Sequence, residues 1–306
     1  MTNKDAAPVL VLGGTGHYGR HIVRHLLDKD QPVRVVSRDA GRARKVLGED
    51  VQLLQGDIAS RTVVAEALAG ARGLVVAVSA FHPKLIRRME EIERDAVLEV
   101  WREARRAGVS RAVYLSIYDI RQDVAGALDL DTARIKQEVE DELAASGLDW
   151  TVLGAVPSMD IFLALIRGNT MVVPGGGPPG LPTIAPADIG RITAQTVLRD
   201  DLGGQRIRMA GPEAISFPAA AQRISAATGQ TLRFRRVPLL PLRLVAAVVG
   251  PFHPYLKNVV QSIRLMNHFP PEMVAQAQED HLRLRRTFDY TPTTLETMAV
   301  AWAERR

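Results

Sequence analysis

The stretch Val9-Leu-Val-Leu-Gly13-Gly14-Thr15-Gly16-His17-Tyr18-Gly19-Arg20-His21-Ile22-Val23 constrains the fold more than any other part of the chain. An apolar, β-branched run stops at clustered glycines, and apolar residues at helical spacing (Ile22, Val23, Leu26, Leu27) follow at once. The pattern is a buried strand, a tight turn and a helix start. In that context Gly13, Gly16 and Gly19 read as a phosphate site. Positions without side chains let the backbone turn sharply and approach a pyrophosphate, and Gly19 lets the helix pack close to the strand. The N–H groups of the first helical turn then face the anion. The spacing G-x-x-G-x-x-G differs from the G-x-G-x-x-G of most dehydrogenases. Segment 13–19, with Gly14, Thr15, His17 and Tyr18 between the three glycines, is the candidate cofactor cradle.

Further along, strands are predicted at 32–37, 51–57, 73–79, 111–116 and 149–153. Helical patterns alternate with them, including a long one from Lys84 to Ala107 and another from about Thr132 to Ala145; Ser60 is a candidate N-cap. Six strands alternating with helices predict an α/β fold, a Rossmann-type doubly wound parallel sheet with its ligand at the strands' carboxyl ends. Beyond residue 154 the pattern loosens. Ile161–Arg167 reads as a helix, Pro174–Gly180 as a turn-rich loop, and Gln205–Ala210 as a strand returning to the main sheet. Ser216 caps a further helix, and Thr231–Val237 is a further strand. Leu239–Phe252 is the most apolar stretch of the second half, too short and too interrupted by Pro241, Arg243 and Gly250 for a membrane span. It reads as a core helix, with a cavity wall or a dimer contact as alternatives. The organisation expected is a nucleotide-binding domain over 1–153, with 187–212 returning to it, and a smaller, mostly helical substrate lobe over 154–186 and 213–306.

Composition removes several classes of function. The 306-residue chain has no cysteine, which excludes disulfides, thiolate metal sites and cysteine nucleophiles and fits a cytoplasmic protein. The net charge of +5 is dispersed as surface pairs, as in Arg87-Arg88-Met-Glu90-Glu91-Ile-Glu93-Arg94, so no nucleic-acid partner is expected. Met1–Pro8 reads as a loose start rather than a targeting segment. His21 and His25 have a spacing that can bind metal, but no third ligand accompanies them, so no metal site is expected.

These segments also resemble a known family. Leu12-Gly-Gly-Thr-Gly-His-Tyr-Gly19, Gln55-Gly-Asp-Ile58, Arg111-Ala-Val-Tyr-Leu-Ser116, Lys136 with Glu140, Ser146–Leu153 and Ala187-Asp188-Ile189 resemble the extended and atypical short-chain dehydrogenase/reductases, most closely the NmrA-like group. The resemblance covers most of residues 8–212. At the tip of the second strand, Ser37-Arg38 with Arg42 behind favours NADP, because an arginine there suits the 2′-phosphate. Asp39 would favour NAD if its side chain turned inward. The resemblance implies that Asp57 and Ile58 flank the adenine and that Ala77, Val78 and Ser79 line the ribose path.

Enzymes of this superfamily carry Y-x-x-x-K, but Thr132 stands four residues before Lys136, so the tyrosine is missing. The resemblance implies that Lys136 acts on the substrate or binds the nicotinamide ribose; partial desolvation would lower its pKa. Ser116 is placed to hydrogen-bond a carbonyl or quinone oxygen, and Tyr118 is the nearby phenol that could serve as acid. His82 is a further candidate substrate contact. The usual Arg-Pro-Gly turn after the sixth strand is replaced by Gly154-Ala155-Val156. The function implied is an NADP-dependent oxidoreductase for a small apolar or aromatic carbonyl or quinone, monomeric or homodimeric. The alternative is a nucleotide-sensing regulator that binds a protein partner and does no chemistry.

Overall fold

The computed structural model describes residues 6–118, 131–250, 252–267 and 269–305; most of the loose start expected at the N-terminus lies outside them. The chain begins with β1 (Val9–Leu12), α1 (Gly19–Leu27), β2 (Val33–Ser37), α2 (Ala40–Leu47), β3 (Gln52–Gln55), α3 (Arg61–Leu68) and β4 (Gly73–Val76). It continues through α4 (Ala96–Arg106), β5 (Arg111–Ile117), α5 (Asp131–Ala145), β6 (Asp149–Ala155), α6 (Ile161–Ala164), β7 (Ile166–Arg167), β8 (Thr170–Pro174) and β9 (Leu181–Pro182). Then follow α7 (Pro186–Val197), β10 (Gln205–Met209), β11 (Ala214–Ile215), α8 (Phe217–Thr228) and β12 (Arg233–Val237). Four helices complete it: α9 (Leu240–Val249), α10 (Pro254–Asn267), α11 (Pro271–Thr287) and α12 (Leu295–Ala303).

The residues group into two units. Among the described residues, one comprises 6–118, 131–154 and 189–207, the other 155–188 and those from 208 to 305. A seven-stranded parallel sheet, ordered β10-β6-β5-β4-β1-β2-β3, gives the first unit its Rossmann-type architecture. Every residue of β1 and β4 is buried, as expected of central strands covered on both faces. Leu10, Leu12, Leu74, Val76, Tyr114, Val139 and Leu143 belong to one of the cores packed against this sheet. The strand order reverses about β1, which pairs with β2 on one side and β4 on the other. This is the switch point where open α/β sheets bind ligands.

Gly190 has a structural reason. A Cβ there would lie 2.6 Å from the His21 Cβ, so only glycine lets α7 approach α1 this closely. Burial, together with Arg20, His17 and other nearby cations, lowers the His21 pKa from 6.5 to about 4.

The second unit contains a three-stranded sheet ordered β12-β8-β7 and a two-stranded pair, β11-β9. Its core includes Phe162 and Phe217, edge to face with centroids 5.0 Å apart, together with Met171, Val173, Ile224 and Leu295. The Asp188 carboxylate accepts from the Thr293 backbone N–H and hydroxyl, both at 2.8 Å, and so fixes the turn before α12.

Four local expectations change. The Lys84–Ala107 pattern predicts one helix, but the structure has a 3₁₀ turn at Ile86–Arg88 and a π-helical turn at Glu90–Asp95 before α4. The wide turn carries Glu93 inward, where it is 1% exposed. Ser60 precedes α3 but makes no capping bond; its hydroxyl pairs with Thr62. The predicted helix at Ile161–Arg167 stops at Ala164, because Ile166–Arg167 pairs with β8. Within Leu239–Phe252 a helix forms over Leu240–Val249, but Leu240, Leu244, Val245 and Val248 on it and Phe252 after it are exposed, so it is not a core helix. Among the described residues, no helix is long and apolar enough to cross a membrane.

The unfolded chain protonates His21 near pH 6.5 and the folded chain only near 4, so stability falls as pH drops through that window. Thermal melts of His21→Gln should show a shallower fall between those pH values; an unchanged slope would contradict the assignment. Asp188→Ala removes both bonds to Thr293 and should cost about 2–4 kcal/mol in urea unfolding.

Candidate functional site

The glycine loop is built around one carbonyl oxygen. Leu12 lies in register with both Val36 and Val76, so β1 and β4 end level and β2 runs one residue further, to Ser37. Gly13 follows with φ +81°, and a Cβ on it would strike the Ala77 carbonyl. The Gly13 oxygen then turns into the loop, where the Gly16 N–H donates to it at 2.8 Å. A Cβ on Gly16 would lie 2.9 Å from that oxygen, and one on Gly19 would overlap it and come within 2.8 Å of the Gly14 Cα. Helix α1 therefore starts directly against the strand end, with no side-chain cap from Tyr18. The Arg20 and His21 N–H groups bond back to the Gly16 and Tyr18 carbonyls, and the uncapped helix N-terminus is the end that attracts an anion. Gly16 and His17 are exposed beside it, and Thr15 and Tyr18 are half-buried. A cradle that side chains would fill, opening on a helix N-terminus at the switch point, fits a dinucleotide diphosphate.

At the tip of β2, Arg38 is exposed and the Ser37 hydroxyl donates to the Asp39 carbonyl at 3.0 Å. The Asp39 carboxylate caps α2, accepting from the Arg42 N–H at 2.9 Å. The residue that would argue for NAD is thus committed to the helix, and the Arg42 side chain is exposed one turn later. The Gly56 N–H donates to the Ser37 carbonyl at 3.0 Å, which brings the β3 end beside this tip. There the Asp57 carboxylate accepts from the Ala59 N–H at 3.0 Å, and Ile58 packs against the core. Ala77 continues β4, donating to the Leu12 carbonyl at 2.9 Å. Ala77 and Val78 are half-buried, and Ser79 is exposed.

Strand β5 and helix α5 make two polar rungs. Alternation places Tyr114 and Ser116 on the same face of β5, and i,i+4 spacing places Lys136 and Glu140 on one face of α5. The Lys136 Nζ lies 3.4 Å from the Tyr114 hydroxyl and 3.4 Å from the Glu93 carboxylate. The other Glu93 oxygen accepts from the Ala80 N–H at 2.5 Å and from the Ser79 hydroxyl at 3.3 Å. Glu93 thereby ties the end of β4 to Lys136.

This surrounding corrects the expected pKa direction. Burial alone would push the Lys136 pKa down, but Tyr114 and Glu93 beside the ammonium outweigh it and hold the value above the usual lysine range. Burial also raises the Tyr114 phenol above its ordinary value. Thr132, in the position of the missing tyrosine, donates its hydroxyl to the Met89 sulfur at 3.6 Å.

The second rung changes the expectation for Ser116. Its hydroxyl donates to Glu140 at 2.5 Å, so the one proton it could offer a substrate oxygen is already given. Arg206 on β10 donates to the other Glu140 oxygen at 2.9 Å and to the Ile117 carbonyl at 2.6 Å. A Cβ on Gly154 would lie 2.8 Å from both that guanidinium and the Ile117 oxygen, so glycine at the end of β6 makes room for Arg206. Tyr118 is buried just beyond β5. His82 is exposed, its Nδ1 accepting from the Lys84 N–H at 3.2 Å.

Sequence reasoning singled out Lys136 and Ser116 but not Glu93 or Tyr114. The β5 alternation could have paired Tyr114 with Ser116. Glu93 gave no such signal, because it lies in a run that reads as surface ion pairs.

The model of the NAD(P)H-binding family matches residues 13–199. The NAD(P)H azoreductase of Xenophilus azovorans is 25% identical over 236 residues, covering 76% of this chain and 77% of its own. Among solved structures, the NADPH-dependent quinone oxidoreductase QOR2 of Escherichia coli superposes with a TM-score of 0.71 at 17% identity, covering 96% of this chain and 99% of its own. The triphenylmethane reductase of Citrobacter sp., complexed with NADP(H), gives 0.71 at 16% identity, covering 97% and 99%. At those identities the structural likeness speaks for the fold, whereas the family match spans well over half of the chain. The resemblance to NAD(P)-dependent reductases read from the motifs is borne out at this level. With its glycine cradle inside the matched segment, the chain belongs to the NAD(P)H-binding family.

Proposed function

We propose that the protein is an NADPH-dependent reductase of the NmrA-like atypical short-chain type, acting on a small apolar or aromatic carbonyl or quinone. The observation that carries this reading is the buried Lys136 ammonium, 7% exposed, held by Tyr114 and by a glutamate that also binds the end of β4. A reductase needs a fixed positive charge where an oxygen becomes negative, and a charge fixed in advance costs no reorganisation during the reaction. When bound, the dinucleotide supplies the hydride.

The chain's own residues then divide the work. Segment 13–19 binds the diphosphate through backbone amides, and Ser37, Arg38 and Arg42 receive the 2′-phosphate. Asp57 and Ile58 flank the adenine, and Ala77, Val78 and Ser79 line the ribose path. Lys136 remains a cation throughout, so its role is to hold the nicotinamide ribose and stabilise developing oxyanion charge, not to release a proton. Ser116 acts through Glu140 and Arg206 as a positioning residue. Tyr118 is the phenol assigned to proton donation, since the Thr132 hydroxyl is far too weak an acid. The second unit supplies the substrate lobe.

Three measurements test this. NADPH should bind at least about tenfold more tightly than NADH, and Arg38→Ala should erase the preference, as expected for loss of a charge-assisted bond; equal affinities in the wild type would contradict the Arg38 assignment. With NADPH, a panel of quinones and aldehydes should include a substrate, and Lys136→Met should lower its kcat/KM by about 100-fold or more. No turnover across the panel would favour the regulator instead. Glu93→Ala leaves a buried ammonium unpaired and should cost about 3–5 kcal/mol in chemical unfolding. Adding Lys136→Met to that variant should recover much of the loss.

A further inference from the structure

Helix α9 turns apolar side chains outward. Leu240 is 62% exposed, Leu244 60%, Val248 73% and Phe252 78%, with Val245 at 50% between them. Positions 240, 244 and 248 recur every four residues and fall on one helical face, and Phe252 follows just after the helix ends. Single exposed apolar residues are ordinary, whereas a contiguous apolar face marks a contact surface.

Its charge setting indicates what kind of contact. From Ala214 to Pro271 the sequence contains no aspartate or glutamate, although the whole chain has 34. The same segment contains Arg223, Arg233, Arg235, Arg236, Arg243, Lys257 and Arg264. Arg223 is paired internally with Glu213 and Glu296. Arg233, Arg235 and Arg236 are exposed on the edge strand β12, which leads directly into α9, and Lys257 is exposed on the helix that follows. Arginines on an edge strand are explained by edge protection alone. The apolar face directly after them is not.

We propose that α9, with the arginines of β12, docks the protein onto an anionic lipid surface. The apolar face enters the boundary between headgroups and acyl chains, and the cations meet the headgroups. At ten residues the helix is far too short to span a bilayer and suits an orientation in the membrane plane. A second copy of the chain is the competing occupant. A twofold contact sets a patch against itself. Here that would bring cations against cations, with no acid in 214–271 to pair them. An anionic surface has the complementary charge.

The test is cosedimentation of the full chain with phosphatidylcholine vesicles and with phosphatidylcholine–phosphatidylglycerol vesicles. The protein should pellet with the anionic mixture at low salt and not with phosphatidylcholine alone, and binding should fall as salt rises. Leu244→Asp with Val248→Asp should weaken binding at least about tenfold, and so should Arg233→Glu with Arg235→Glu. NADPH affinity in both variants checks that they are folded. Absence of binding to the anionic vesicles, or aspartate-variant binding equal to wild type, would overturn the proposal. A dimer in light scattering that the aspartates dissociate, without vesicle binding, would assign the face to a second copy.

Discussion

Close approach to the Gly13 carbonyl is the constraint from which the nucleotide-binding half is built. The Gly16 N–H bonds to that oxygen, and neither Gly16 nor Gly19 can carry a Cβ without crowding it. Because Gly19 starts α1 there, the helix axis and the position of its first turn are set by the same contact. Gly13 is pinned in turn by the Ala77 carbonyl, so the loop is referenced to β4 as well as to β1. A diphosphate site of this kind depends on backbone positions more than on side-chain chemistry, which is why substitutions as small as a methyl group matter.

A second constraint is electrostatic. Lys136 and Glu93 are both removed from water, and a buried ion pair is weak evidence for stability, since desolvation offsets much of the attraction. Its value is in placement. The pair is held by the Ala80 amide, the Ser79 hydroxyl and the Tyr114 phenol, so neither charge can relax without breaking neutral bonds. The Ser116–Glu140–Arg206 rung repeats the arrangement one step along the same strand and helix. The rungs are interleaved with apolar residues of the same helix, of which Val139 and Leu143 join the core.

Legibility in the sequence follows the range of the interactions. The β1 turn and α1 were readable because strand, glycines and helix are adjacent, and β4 because burial on both faces leaves an uninterrupted apolar run. The π-helical turn at Glu90–Asp95 was not readable. Its acids and arginines have the composition of a solvated helix, and only the Ala80 amide and Lys136, distant in sequence, show why Glu93 turns inward. Leu239–Phe252 misled in the opposite direction: its composition is that of a core, and its exposure is a tertiary fact. At the site, the backbone cradle and the position of Lys136 could be read from spacing. The sign of the Lys136 shift could not, because it depends on partners from two other elements.

The most direct test of the account is calorimetric titration of NADPH into the wild-type chain and into Gly19→Ala, with circular dichroism to confirm that both are folded. The cradle predicts saturable binding by the wild type and a loss of about 100-fold or more in the variant, because the added methyl overlaps the Gly13 oxygen and displaces the first turn of α1. Undiminished NADPH affinity in a folded Gly19→Ala protein, or no binding heat in the wild type, would contradict it.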